Sequence, residues 1–228
     1  MNLMRIGRPG QARPAVLVPD GTAVDASPVA ADDDTVLVAS GGLDTLARAV
    51  ADRRLEPCRR TGLRAARPTD CAPPKIVCVG LNDADHARES GQTLPSEPSI
   101  FLKAPDTLVG PNDDVLIPRR STKTDDEVEL GVMIGRVVRY LADPSLADEH
   151  VAGCCVSRDV SEREFQLERG GQWDKGKSCE TVNPSAMAGH ARGGRRPAAA
   201  FPAHHPCRWR VTPGRLHQDT AFGVDDLV

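Results

Sequence analysis

From residue 75 onward, apolar runs too short for typical helices are cut off repeatedly by turn residues, and no other feature constrains the fold as strongly. "KIVCVGL" ends near a glycine, "PSIFLKAP" and "GPNDDVLIP" are bounded by prolines, "EVELGVMIGRVVRYL" is the longest run, and "VAGCCVSRDVS" closes the series. Strands should therefore be many and helices few. The regular strand and helix alternation of a doubly wound sheet is missing, so the pattern predicts a mainly β, α+β domain of sandwich-like or rolled form. Upstream, "AVLVPDGTAVDAS" has the form of a hairpin across a Pro-Asp-Gly turn, and "GLDTLARAVADRRL" that of a helix. The stretch "RRTGLRAARPTDCAPPK" has no periodicity and suits a linker. The predicted division is a small β-containing domain with its linker over residues 1–70, and a larger domain over 71–228.

A chain of 228 residues can hold one substantial core, or a small domain followed by a larger one. Its formal net charge of -3 provides no basic field for phosphate backbones or anionic membranes, so neither nucleic acid nor membrane is an expected partner. The start, "MNLMRIGRPGQARP", lacks the apolar segment of a signal peptide, and no run approaches the roughly 20 apolar residues that span a bilayer. The expected location is the cytoplasm. Seven cysteines (Cys58, Cys71, Cys78, Cys154, Cys155, Cys179, Cys207) contain no C-x-x-C pair, which favours free thiols over zinc or a disulfide framework.

Three segments carry candidate chemistry. In "DDEVELGVMIG", a strand would bring Glu127 and Glu129 to one face about 6.6 Å apart, with Val128 on the other. Two carboxylates on a partly buried face repel each other unless a cation lies between them, and a hard divalent ion with oxygen ligands would resolve the conflict. A solvated edge-strand face is the plainer alternative. In "NDADHARESG", Asp85 is placed to cap a short helix on which His86 and Glu89, at i and i+3, share a face. A carboxylate fixing one imidazole nitrogen frees the other to act as a general base, while an ordinary exposed pair is the alternative. In "SRDVSEREFQLERGGQWDKGKS", Asp159 is expected where a strand ends, although Asp159 with Glu162 also has the D-x-x-E capping pattern. "GQWDKGKS" matches the phosphate-loop pattern letter for letter, but neither a buried strand before it nor an apolar helix after it supports that reading.

Together, "GLNDADHARESG", "FLKAPDTLVGPNDDVLIP", "KTDDEVELGVMIG" and "GCCVSRDVSEREFQLERGGQWDKGKS" resemble the fumarylacetoacetate hydrolase superfamily, in the family's order, over residues 75 to 180. The N-terminal segment resembles the small leading domain of bacterial members acting on 2,4-dioxo sugar acids, many of them labelled ureidoglycolate lyases or hydroxyheptadienedioate isomerases. The resemblance implies a mixed β-roll that binds magnesium, manganese or calcium through Glu127, Glu129 and Asp159. It implies that His86 and Glu89 activate water, that Lys177 holds the substrate oxyanion, and that Arg163 and Gln166 contact substrate. The implied reaction is cleavage of a carbon–carbon bond in a 2,4-dioxo acid, with the leaving carbanion held by the metal as an enolate. Lyase or isomerase activity on the same site, or a catalytically inactive remnant, are the alternatives; a homodimer is the implied assembly. Three positions depart from the family pattern: Asp83 and Cys154 stand where tyrosine is usual, and Arg158 where asparagine is. Arg158 is expected to compete with the cation for Asp159.

From Val182 to Ala221 the resemblance lapses in a stretch crowded with Arg, Pro, Ala and His, and it returns in "FGVDDLV". Shifting a GC-rich back-translation of "MAGHARGGRRP" by one base yields a peptide that resembles the family's continuation. The expectation is a pair of compensating frameshifts, with a genuine disordered insert as the alternative, 182–221 disordered and the C-terminal strands incomplete. Reading the coding DNA decides it: shifted frames that do not restore the family pattern would remove the explanation.

Overall fold

The computed structural model describes residues 1–7, 11–31, 37, 40–58, 65–66, 73–89, 91, 93–185, 188–190 and 220–228, with backbone alone at 65–66, 85–86, 89 and 188–190. Most of the expected linker, and most of the anomalous 182–221 stretch, therefore lie outside the described residues.

The chain opens with β1 (Asn2–Ile6), β2 (Arg13–Leu17) and β3 (Ala23–Asp25), an antiparallel meander. Its second turn is the predicted hairpin: Gly21 N–H donates to Val18 O at 2.9 Å, and the Asp20 carboxylate accepts from Thr22 N–H at 2.8 Å. Helix α1 (Gly42–Ala51) buries Leu43, Leu46 and Ala49, one stripe at helical spacing. These side chains meet Leu3, Val16, Val24 and Leu55, and also Ala152 and Cys155 from far along the chain, in the main apolar cluster.

Short β4 (Ala65–Ala66) pairs with β1. Strands β5 (Ile76–Gly80) and β6 (Ser99–Lys103) form an antiparallel pair, with helix α2 (Ala84–Glu89) between them in sequence. After the short strand β7 (Leu108–Val109) come the two long strands, β8 (Thr124–Ile134) and β9 (Val151–Glu162), paired along their length with a bulge at Met133/Ile134. Helix α3 (Asp174–Lys177) follows, then β10 (Asn183–Pro184), parallel to β7, β11 (Ala188–His190) and helix α4 (Val224–Leu227). The main sheet runs β3-β2-β1-β11-β9-β8, so one sheet crosses the expected domain boundary near residue 70.

Mixed strands with few helices match the sequence reading. Three details differ. "GPNDDVLIP" forms no strand; Leu116 N–H donates instead to Thr181 Oγ1 at 2.8 Å, and the side chains of Leu116 and Ile117 are exposed. Two prolines bound this short run, and each removes a ladder donor. The long run ends at Ile134 rather than continuing through "RVVRYL", where Val137 and Tyr140 face solvent. Strand β9 does not end near Asp159 but runs on to Glu162. No helix among the described residues is long and apolar enough to cross a membrane, and the five described cysteines are free thiols.

Candidate active site

The register of β8 against β9 places Glu127 directly opposite Asp159, with Glu129 two residues along β8 on the same face. Asp159 and Glu162 both lie inside β9, so the capping alternative for Asp159 does not hold. Glu162 does cap a turn, but from the strand end: its carboxylate accepts from Glu164 N–H at 3.3 Å and from Thr124 Oγ1 at 3.0 Å.

Three cations from three other places converge on this carboxylate face. Lys177, at the end of α3 and 3 % exposed, donates from Nζ to Glu127 Oε2 at 2.8 Å and Asp159 Oδ2 at 2.5 Å. Lys103, at the end of β6, donates to Asp159 Oδ1 at 2.6 Å and to Val160 O at 3.1 Å. Arg163 pairs with Glu127 Oε1 at 2.8 Å and Asp125 Oδ2 at 2.6 Å, and donates to Gln166 Oε1 at 2.9 Å. Gln166 is buried in a π-helical turn, Glu164–Glu168.

Lys177 reaches the face because α3 is docked tightly. Leu102 N–H donates to Asp174 Oδ1 at 3.1 Å, and Ala104 N–H to Ser178 Oγ at 3.0 Å. A Cβ on Gly176 would lie 2.4 Å from Glu162 O, so only glycine allows this approach. The Phe101 ring stacks edge-on to Trp173, with centroids 5.6 Å apart, and lies 5.0 Å from Lys177 Nζ. The segment that matches a phosphate-loop pattern thus directs its lysine at two carboxylates.

The electrostatics follow from this uneven pairing. Burial alone would favour the neutral form of Glu127, but Lys177 and Arg163 outweigh it and hold the carboxyl below its usual range. Glu129 has no hydrogen bond or ion pair among the described residues. Crowding by protein atoms, followed by the charges of Glu127 and Asp159, pushes it up to about 7, with Asp83 adding to the effect. Its side chain nonetheless keeps access to solvent. Lys103 is drawn below the ordinary lysine value by burial, against the pull of Asp159.

Glu127, Glu129 and Asp159 suit a hard divalent cation by donor type and by shared face, and among the described residues no positive group contacts Glu129. Among the described residues no three Asp, Glu, His or Cys side chains stand close enough to hold an ion, since the Lys177 ammonium lies between Glu127 and Asp159. The expected conflict at Arg158 does not arise. Neighbouring strand residues point to opposite faces, and Arg158 Nε donates to Asp126 Oδ1 and Oδ2 at 3.1 Å on the face away from Asp159. Cys154 is buried in β9.

His86 and Glu89 stand three positions apart in α2, as predicted, but their side chains lie outside the described residues. The helix begins at Ala84, with Ala87 N–H donating to Asp83 O at 3.0 Å, so Asp85 falls inside its first turn rather than at the cap. Sequence reading missed Lys103, whose signal was a lysine at the inward-facing end of an otherwise apolar strand.

The family model described as fumarylacetoacetate (FAA) hydrolase C-terminal matches residues 75–199. A Burkholderia multivorans protein provisionally named a hydrolase is 42% identical over 194 residues, covering 81% of this chain and 64% of its own length. A fumarylacetoacetate hydrolase from Exiguobacterium antarcticum shares 29% identity with a TM-score of 0.65, over 83% of this chain and 66% of that one. A maleylpyruvate hydrolase from Sphingobium sp. SYK-6, solved with manganese(II) and pyruvate, shares the fold at a TM-score of 0.66 and 21% identity, over 87% of this chain and 70% of that one. The chain thus spans 64% of the length of curated relatives it matches. With the matched family model covering more than half its residues, the chain belongs to the fumarylacetoacetate hydrolase family.

Proposed function

We propose that the chain is a metal-dependent hydrolase that cleaves a carbon–carbon bond in a 2,4-dioxo acid, of the acylpyruvate or 2,4-didehydro-3-deoxy sugar acid type. The observation that carries this reading is the face that Glu127, Glu129 and Asp159 share, on which Glu127 and Asp159 meet the Lys177 ammonium. A relative of the same fold holds manganese(II) and pyruvate, which supports a 2-oxo acid as ligand.

With the Lys177 ammonium displaced from between Glu127 and Asp159, those two and Glu129 would hold magnesium, manganese or calcium, which when bound supplies Lewis-acid charge to the 2-oxo acid end of the substrate. Arg163, steadied by Gln166, orients the substrate at the rim. Lys177 donates a hydrogen bond to the oxygen on which negative charge develops, an interaction that the burial of Lys177 strengthens. His86, oriented by Glu89, removes a proton from water as its oxygen attacks the distal carbonyl carbon. The bond between the two carbonyl-bearing arms then breaks. Its electron pair stays on the 2-oxo acid fragment, which takes back the proton from His86, and the distal fragment leaves as a carboxylic acid.

Acetylpyruvate with magnesium tests this. Each diketone lost should yield one acetate and one pyruvate, and Lys177→Ala should slow turnover about 100-fold or more. Undiminished turnover in that variant would remove Lys177 from the reaction.

A further inference from the structure

We propose that Asn82 is a positioning residue for the site, acting through residues 220–222, which strap the turn between β5 and α2. Only the kinetic arm of its test rests on the hydrolase reading above.

Leu81 lies in the left-handed region at φ +56, where a residue with a Cβ is strained. Such a conformation persists only where the surroundings impose it, and here they do so from two sides. On one side, a Cβ on Gly80 would come within 2.8 Å of Trp173, the residue that leads into the helix bearing Lys177. On the other, Asn82 is bound to a segment 140 positions away. Its Nδ2 donates to Phe222 O at 3.1 Å, its Oδ1 accepts from Phe222 N–H at 2.8 Å, and its backbone O accepts from Ala221 N–H at 2.8 Å. Asp83 adds an antiparallel bridge to Thr220. Behind the strap, α4 lies against the 3-10 turn Pro144–Glu149 that precedes β9.

A primary amide that both donates to and accepts from one residue's backbone acts as a single-residue strand partner. Aspartate has no donor for Phe222 O, and glutamine is one methylene too long for the same fork. The strapped turn carries the start of α2 with it. The Asp83 carbonyl accepts the Ala87 N–H bond that opens α2, the helix of His86 and Glu89. A shift of the turn therefore moves the start of α2, which links the strap to the helix that bears the candidate base.

Asn82→Ala, Asn82→Asp, Phe222→Pro and the Ala/Pro double variant test the proposal. Amide hydrogen exchange is read at Ala87 and its helix neighbours, with kcat and KM for acetylpyruvate measured on the same preparations. Phe222→Pro removes one donor while leaving Asn82 intact. Each of Asn82→Ala and Phe222→Pro should speed exchange at Ala87 about tenfold or more, with Asn82→Asp intermediate. Each should lower kcat about tenfold or more while KM moves less than about twofold, and the double variant should be no worse than the worse single variant. Unchanged exchange at Ala87 in Asn82→Ala, or fully additive effects in the double variant, overturns the strap. If the wild-type chain cleaves no acetylpyruvate, the hydrolase reading falls, and the exchange comparison still decides the role of Asn82.

Discussion

Asp159 has two lysine partners on its two oxygens, and this pairing dominates the site at the scale of single residues. The Lys103 side chain is 1% exposed, so its removal strands a partly buried carboxylate with half its compensation. Lys103→Met should cost about 3–5 kcal/mol in urea unfolding. A loss below about 1 kcal/mol would mean that Lys177 alone suffices. Glu129 gives the opposite case, a carboxylate with negative neighbours and no contacting cation among the described residues. Its carboxyl is raised from 4.5 to about 7 in the fold, so the folded chain binds that proton more tightly than the unfolded chain does. Its contribution to stability is full below about pH 4.5 and is lost as pH rises through about 7. In metal-free buffer, Glu129→Gln should raise Tm at about pH 8 and change it little near pH 4. An equal shift at both pH values would place the effect outside this titration. That Glu127 and Glu129 share a strand face was legible from their E-x-E spacing. Lys103 was not, because nothing in a strand's sequence says which buried lysine finds a partner 56 residues away.

At the scale of elements, the β8 and β9 register does most of the positioning, and alternation explains both the success and the error of the sequence reading. Glu127 and Glu129 share a face because they are two apart, and Arg158 misses Asp159 because it is one apart. The run between the prolines at 111 and 118 forms no strand because its apolar character has no partner ladder, which only the assembled sheet supplies. Helix α3 is four residues long, so its position rests on tertiary contacts rather than on propensity. Gly176→Ala tests those contacts: a Cβ 2.4 Å from Glu162 O and 2.7 Å from Gln166 forces the turn outward and carries Lys177 with it. The expected outcome is a stability loss of about 1–3 kcal/mol together with weakened turnover. Wild-type Tm and wild-type rate in this variant would show that α3 has room to spare.

For the whole molecule, one sheet joins the N-terminal meander to β9 and β8, and the main apolar cluster draws on both, so the open carboxylate face is anchored by a core on the N-terminal side. By contrast, β5 and β6 turn Phe101 and Lys103 toward the site but leave Val77, Ile100 and Leu102 exposed on the outer face. The mainly β class could be read from the rhythm of apolar runs. The shared sheet could not, since the link passes through β11, three residues in a stretch without strand periodicity. What the whole arrangement is for can be measured most directly through the loss of diketone absorbance from acetylpyruvate, with and without magnesium, in the wild-type chain and in Glu127→Ala. The account predicts absorbance loss only with magnesium, and a rate about 100-fold or more lower in Glu127→Ala. Cleavage that proceeds equally without a divalent ion, or at full rate in Glu127→Ala, would contradict it.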